Sequence, residues 1–453
     1  MSHPPQFSTP GLALAAAPPP PNRVDLRRGL TLFAVIGGIA LCGIGVLVYV
    51  GRHIGPVALA VGIGSALLPV PLLVACFLWL DRYEPKPVKY LALAFAWGAG
   101  VATAISLLVN TLASQGFERL RWNDILVGIL VAPVIEELTK AAGPILIFWR
   151  RRKAISGLID GIVFCGLSAT GFAMVENILY LGNLGYAQGA EQGGALVGAA
   201  GVVRVFLARI VMSGFAHPLF TAMTGIGLGL AARAARRGVR WLAPLGGLLA
   251  AMLLHGSWNT MASLGQELRQ GYILLYGYVS VMMPIFFGMV GLVLWLRSAE
   301  GRLAERVLSP YVQAGWFSPP EIAALGTLGR RSAARRWARQ VAGDAGAKAM
   351  RAYQFEATRL ALLRDGVRRG VGMAPHEVQG TLGEERRLLT ALAAYRQVFT
   401  GRDPHLPRAW WDGAHYHIAF PDGAVRALRA SAHPVVPVPV TFVPRPVPGF
   451  PYR

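Results

Sequence analysis

Charge is what this sequence has least of. Only 15% of its 453 residues are Asp, Glu, Lys or Arg, against 54% hydrophobic, too few for the wetted surface of a soluble enzyme of this length. Acidic side chains are scarcer still, 23 against 44 basic ones, giving a net charge of +21. The arginines gather just outside apolar segments and in the C-terminal region rather than on a motif that reads bases, so no nucleic-acid partner is expected. They fit membrane topology and attraction to an anionic leaflet. Cysteine is nearly missing. Cys42, Cys76 and Cys165 each lie in an apolar run and none in a C-x-x-C spacing, which excludes a disulfide framework and a zinc knuckle. Also missing are H-E-x-x-H, G-x-S-x-G and a pair of membrane aspartates, so zincin, serine and aspartyl chemistry of the standard kinds is excluded.

What the chain does have is long apolar runs. A helix needs about 20 mostly apolar residues to cross the hydrocarbon core, and eight stretches meet that length: 29–50, 54–80, 90–113, 125–149, 157–182, 201–232, 241–263 and 272–296. The expected fold is an all-α membrane protein, a polytopic bundle of about eight transmembrane helices with a partly helical soluble C-terminal tail. Residues 1–28 read as a disordered Pro/Ala-rich leader, 29–296 as the membrane core, 297–432 as an arginine-rich cytoplasmic tail and 433–453 as a disordered proline-rich end. Arg-rich loops at 150–153 and 233–240 alternate with basic-poor ones, so both termini are expected in the cytoplasm and the chain in the plasma membrane.

An ionisable side chain inside a span costs roughly 2.5 to 3.5 kcal/mol on insertion scales, so each is a functional candidate. The fourth stretch reads Val131-Ala-Pro-Val-Ile-Glu136-Glu137-Leu-Thr-Lys140. On a helix Lys140 lies over both glutamates, which lets one stay a carboxylate while its neighbour carries protons. Pro133, one turn earlier, favours a local break that admits water. The fifth stretch puts Phe172, Glu176 and Tyr180 on one face. Asp160, roughly opposite, reads as a dipole or ion-pair residue. His217 lies in the sixth stretch, and the seventh carries His255 and Asn259 four residues apart. Each of these alone has a bland reading, a buried ion pair, a snorkelling carboxylate or a packed histidine, but their gathering on neighbouring spans points to chemistry. Imidazoles and carboxylates suit a catalytic zinc site with one position left for water. A glutamate and histidine pair can also activate water without metal, with Asn259 or Arg209 steadying the oxyanion. The spacing does not separate the two.

At these residues the chain resembles the PrsW family of intramembrane proteases, related to the CAAX-processing and bacteriocin-processing superfamily. An acidic, proline-containing loop at Asp81-Arg82-Tyr83-Glu84-Pro85-Lys86-Pro87 precedes the E-E-x-x-K pattern at Glu136, Glu137 and Lys140. F-x-x-x-E follows at Phe172 and Glu176, then the membrane histidines His217 and His255, with Asn259 completing H-x-x-x-N. Lys86 departs from the pattern, standing where an acidic residue is common. The resemblance runs from about Leu78 to Trp295. It implies an endopeptidase, metal-dependent or glutamate-dependent, that cleaves membrane-anchored proteins, single-span anti-sigma factors being one such class. On that reading Glu136 or Glu137 is the general base, and Glu176, His217 and His255 bind a divalent metal, zinc, or position water. Lys140 and Asn259 are auxiliary. Two other readings stand beside it: a proton-coupled transporter using the same relay, although no internal repeat is evident, and an inactive scaffold recruiting partners through its tail.

Overall fold

The computed structural model describes residues 26–151, 154–268, 270–313, 316–402, 409–412, 414–419, 424–429 and 441–442. The chain is an all-helical membrane bundle followed by a helical C-terminal region. The leader lies outside the described residues up to 25, and its expected end at 28 falls inside the first helix, α1 (Leu26–Ile54). Next come α2 (Pro56–Leu67) and α3 (Val70–Leu80), joined through Leu68 and Pro69. α4 (Val88–Trp97) runs through a π-helical turn, Gly98–Ala102, into α5 (Thr103–Arg119). A second π turn, Val127–Val131, opens α6 (Ala132–Arg150). α7 (Leu158–Tyr180) continues through Leu181–Ala187 into α8 (Gln188–Phe206). The chain then passes a π segment, Leu207–Met212, to α9 (Ala216–Arg233), α10 (Arg237–Glu267), α11 (Gly271–Gly277) and α12 (Met283–Gln313).

Among the described residues six helical stretches are long and apolar enough to cross a membrane, where the sequence suggested eight. The numbers part in two places. Ile125 to Arg150 is set aside by its own charges, Glu136, Glu137 and Lys140. Leu158–Arg233 counts as one stretch of 76 residues, yet at 1.5 Å per residue a straight rod of that length would far exceed a hydrocarbon core of ~30 Å. It is not straight. Gly193 and Gly194 leave helical geometry, Gly194 with φ of 78°, a conformation that glycine adopts without steric cost. The chain folds back there, and Gly201 meets Gly185.

α7 is the central helix, buried from Ile159 to Ile178 on nearly every side. Its small residues let neighbours approach closely. A Cβ on Gly161 would stand 1.9 Å from the carbonyl oxygen of Gly225 on α9, and one on Gly225 would stand 2.5 Å from that of Gly161. Small residues at such crossings are how membrane helices gain packing when lipid supplies no hydrophobic drive. Around this contact Phe77, Val163, Phe164, Leu167 and Leu228 form the core.

The basic end of α7 is tied to the loop before α4. Asp81 Oδ2 accepts the Lys86 backbone N–H at 2.7 Å. Lys86 Nζ lies 2.7 Å from Glu84 and 3.0 Å from Asp160, and Asp160 also accepts Ser156 Oγ–H and the Ser156 and Gly157 N–H groups. Asp160 is thus an ion-pair and capping residue. Burial pushes the Asp81 carboxyl up to about 7 and raises that of Glu84. Lys86 loses stability as a cation through burial but gains more from Asp160 and Glu84, so its value rises.

The composition change at Arg297 is not a chain break, because α12 runs on to Gln313. Beyond it α13 (Pro319–Leu325), α14 (Leu328–Arg368) and α15 (Pro375–Phe399) pack with the end of α12 around Leu308, Phe317, Tyr353, Leu360 and Leu392. Arg396 binds Glu321 at 2.7 Å inside this core. Arg331 donates to the Tyr83 carbonyl at 3.2 Å and Arg233 of α9 meets Asp365 at 3.1 Å, fastening the region to the bundle. A small sheet, not foreseen from the sequence, follows: β1 (Ala409–Trp411), β2 (His415–Ala419), β3 (Val425–Arg429) and β4 (Thr441–Phe442), ordered β3-β2-β1-β4. β4 pairs parallel to β1, the others antiparallel. Apart from Thr441 and Phe442, the proline-rich end lies outside the described residues.

Candidate active site in the bundle interior

Two prolines shape α6. In the π turn that opens it, the Ala132 N–H bonds the Val127 carbonyl five residues back. Pro133 has no N–H to continue that ladder, which leaves the Gly128 carbonyl free, and Asn259 Nδ2 on α10 donates to it at 2.9 Å. One helical ladder later Pro144 frees the Lys140 carbonyl, and Ser168 Oγ on α7 donates there at 2.8 Å. Side chains of neighbouring helices thus fill the gaps that proline leaves in a membrane helix. Both contacts fix α6 with Glu136, Glu137 and Lys140 turned inward.

Glu137 and Lys140 are wholly buried. Lys140 Nζ donates to Glu137 Oε1 at 2.8 Å and lies 3.4 Å from Glu136 Oε2. The second oxygen of Glu137 accepts Thr221 Oγ1–H from α9 at 2.8 Å. His255 Nδ1 donates to Glu137 Oε1 at 3.0 Å. Every side of the Glu137 carboxylate is therefore engaged, as a buried charge requires. That contact also fixes the His255 tautomer, leaving its Nε2 as a lone pair 3.8 Å from Glu136 Oε2. Phe220 stacks on the ring at 5.2 Å.

His217 stands in the first turn of α9, just past the break at Ser213 and Gly214. Its Nδ1 accepts from Lys140 Nζ at 3.1 Å and its Nε2 faces Glu176 Oε2 at 2.8 Å. The same Glu176 oxygen meets Arg209 at 2.6 Å, whose guanidinium lies over Tyr180 at 3.7 Å. Lys140 Nζ in turn sits 4.3 Å from the Phe172 ring centre. This is the more open side of the site, where His217, Glu176 and Arg209 keep 13, 18 and 25% of their side-chain surface exposed.

The structure gathers Glu136, Glu137, Lys140, Glu176, His217 and His255 from four helices. Asn259 is tied through its amide nitrogen to the Gly128 carbonyl. Arg209 gives its Nη2–H to Glu176 and its Nε–H to Asn177. Sequence reasoning missed Thr221 as a partner of Glu137, although its place one turn after His217 put it on the right face.

A metal fits these residues once His217 releases one of its two ring contacts, to Lys140 or to Glu176. Ligand atoms of Glu136, His217 and His255 all lie within 4.8 Å of one another. Glu136 Oε2 is buried with no hydrogen-bond partner, an arrangement that costs free energy in a low-dielectric interior unless something else meets the oxygen. Glu137 bound to His255 Nδ1 is the carboxylate-to-histidine contact that commonly orients a metal-binding imidazole. This trio differs from the set expected from sequence by one member, Glu136 in place of Glu176.

Residues 86–289 match the family described as PrsW family intramembrane metalloprotease. Protease PrsW of Clostridioides difficile (strain 630) is 28% identical over 225 residues, which cover 48% of this chain and 85% of that protein. Protease PrsW of Geobacillus kaustophilus (strain HTA426) is 26% identical over 212 residues, covering 46% and 82%. No solved structure matches the chain. The matched region spans the inward-facing polar side chains of α6, α7, α9 and α10, and over it the chain is similar to the PrsW family of intramembrane proteases.

Proposed function

We propose that this protein hydrolyses peptide bonds of membrane-anchored proteins at a metal centre held by Glu136, His217 and His255. The observation that carries this reading is the buried Glu136 oxygen that accepts no hydrogen bond and faces two imidazoles inside the bundle, with only the Lys140 ammonium near it at 3.4 Å. Zinc is the ion that this mixture of nitrogen and oxygen donors suits best, with one position left for water. When bound it would polarise the scissile carbonyl and make water acidic enough to lose a proton near neutral pH. Glu176, beside His217 on the open side, takes that proton and returns it to the departing amine nitrogen. Glu137 holds His255 by its Nδ1–H, and Lys140 holds Glu137 and His217 together. A proton-coupled transporter is not favoured by the family match. The substrate expected from the family resemblance is a single-span protein of the anti-sigma-factor kind, and the protein is assigned to the plasma membrane with both termini in the cytoplasm.

A second assignment exchanges the two carboxylates, with Glu176 as ligand and Glu136 as base. The 2.8 Å approach of Glu176 to His217 Nε2 favours it. Purified Glu136→Gln and Glu176→Gln proteins separate the two when both cleavage of a single-span reporter and bound zinc are measured. On the first assignment both lose cleavage, by 100-fold or more on the general scale of ~10² to 10⁴ for acid–base catalysis, while only Glu136→Gln loses the metal. Metal loss confined to Glu176→Gln selects the exchange. Full cleavage in both variants would falsify the proposal.

A further inference from the structure

Where the basic end of the bundle meets the C-terminal helices there is a cavity of about 750 Å³, far from Glu136 along the helix axes and unused by the chemistry above. One wall is the end of α6 and the start of α10, with Trp149, Arg237, Arg240 and Trp241. The other is α14 and the turn before α15, with Arg359 and Arg369. The carboxylates that also line it are already matched: Glu84 by Lys86 at 2.7 Å and Glu384 by Arg359 and Arg387 at 3.0 Å. Glu377 lies toward the far end, beside His376. The arginines differ among themselves. Arg359 and Arg369 are held by Glu384 and Asp365. Arg240 gives only its Nε–H, to the Ala234 carbonyl at 2.8 Å. Neither Arg240 nor Arg237 has a carboxylate partner among the described residues. Both sit in the first turn of α10, a helix of 31 residues that no side chain caps, where unpaired N–H groups add to the attraction for an anion.

The two tryptophans decide what kind of anion. Trp149 and Trp241 pack edge to face at 5.5 Å and remain 54% and 58% exposed. They stand where apolar spans give way to arginine, the level that indole rings favour at a membrane surface. Inorganic phosphate would gain nothing from such exposed rings. A phospholipid would lay its glycerol and upper chains against them while its phosphate reached the arginines one turn away. Basic clefts between helices at this level are a recurrent way of holding anionic headgroups.

We propose that this cavity is a binding site for one anionic phospholipid, its phosphate held by Arg237 and Arg240 and its upper chains by Trp149 and Trp241. The site joins the C-terminal helices to the helices that carry His217 and His255, since Arg369 on its wall also donates to the Arg233 carbonyl at the end of α9 at 2.6 Å. It does not depend on the protease reading.

The test uses full-length protein in phosphatidylcholine nanodiscs with a minor share of phosphatidylglycerol, and native mass spectrometry to count phosphatidylglycerol retained on release. Wild type is expected to keep one phosphatidylglycerol. Arg237→Gln/Arg240→Gln is expected to hold it about thirtyfold more weakly, and Arg237→Lys/Arg240→Lys to recover part of that loss. Arg306→Gln/Arg386→Gln, which removes equal charge elsewhere, is expected to behave as wild type. Trp149→Leu/Trp241→Leu keeps the charges and is expected to weaken retention, which separates a seat for lipid from simple basicity. Equal retention in wild type and the Arg237/Arg240 double Gln variant overturns the proposal. So does displacement of the lipid by inorganic phosphate, which would assign the cavity to a soluble anion.

Discussion

A carboxylate with no exposed surface, such as Glu137, stays charged only while each of its lone pairs meets a donor. Lys140 and His255 supply two and Thr221 the third. Thr221→Val keeps the shape and removes that donor, so it is expected to cost about 1–3 kcal/mol of stability, the usual penalty of an unsatisfied buried acceptor. It should also lower cleavage, because Glu137 then no longer fixes the His255 ring. Thermal unfolding in detergent and reporter cleavage measure the two effects. Thr221→Ser is expected to restore both, which a purely steric role for the methyl group would not allow. Much of the site was legible at this scale: the spacing of Glu136, Glu137 and Lys140 requires a shared helical face, and the structure has Lys140 within 3.4 Å of both. Thr221 was not legible as a partner because its acceptor lies 84 residues away on another helix. Glu136 was not separable from Glu137 either. Adjacent residues on a helix point about 100° apart, and only packing decides which one meets Thr221 and which is left facing the imidazoles.

At the scale of helices, the bundle depends on places where two backbones nearly touch. Gly161 and Gly225 are the closest pair between α7 and α9, each meeting the backbone of the other. A Gly225→Ala substitution must push the two helices apart, with an expected loss of about 1–3 kcal/mol from overpacking. Because α9 carries His217 and Thr221, cleavage should fall along with the melting temperature. Asn259→Leu leaves the Gly128 carbonyl unpaired inside the bundle and is expected to destabilise by a similar amount while sparing bound metal. Loss of metal in that variant would mean that Asn259 acts on the site directly. The helices themselves were readable as apolar runs, and the break near Pro133 followed from its missing N–H. The reversal at Gly193 and Gly194 falls between the stretches read as ending at 182 and starting at 201, as expected, but the continuation of helix from Leu181 through Gln188 up to that turn was not read. The C-terminal helices appeared only in part. α14, from Leu328 to Arg368 with a break at Ala342 and Gly343, was read only as part of a partly helical tail, because arginine-rich turns hide an apolar face that becomes evident only against Phe317 and Leu388.

At the scale of the whole molecule, bundle and C-terminal helices meet at the loop holding Asp81, Glu84 and Lys86. The Asp81 carboxyl is raised by burial to about 7 from an ordinary value of 3.8. Its folded-state value therefore lies above its unfolded one, and the unfolded chain binds fewer protons between the two. The contribution is fully present below pH ~4 and is lost as pH rises through about 7, by at most about 1.4 kcal/mol per pH unit. Melting temperature is expected to fall between pH 5 and pH 8 in the wild type and to change less in Asp81→Asn. An equal slope in both would place the titration elsewhere.

The proposed chemistry depends most on a metal held by Glu136, His217 and His255. Elemental analysis of purified protein, wild type beside Glu136→Gln, His217→Ala and His255→Ala, addresses it directly. One zinc per chain in the wild type is expected, with less than a tenth of that in each variant while helicity is unchanged, and chelation of the wild type should abolish cleavage. Wild-type protein that cleaves its reporter with no stoichiometric metal, or variants that retain a full complement of zinc, would contradict the account.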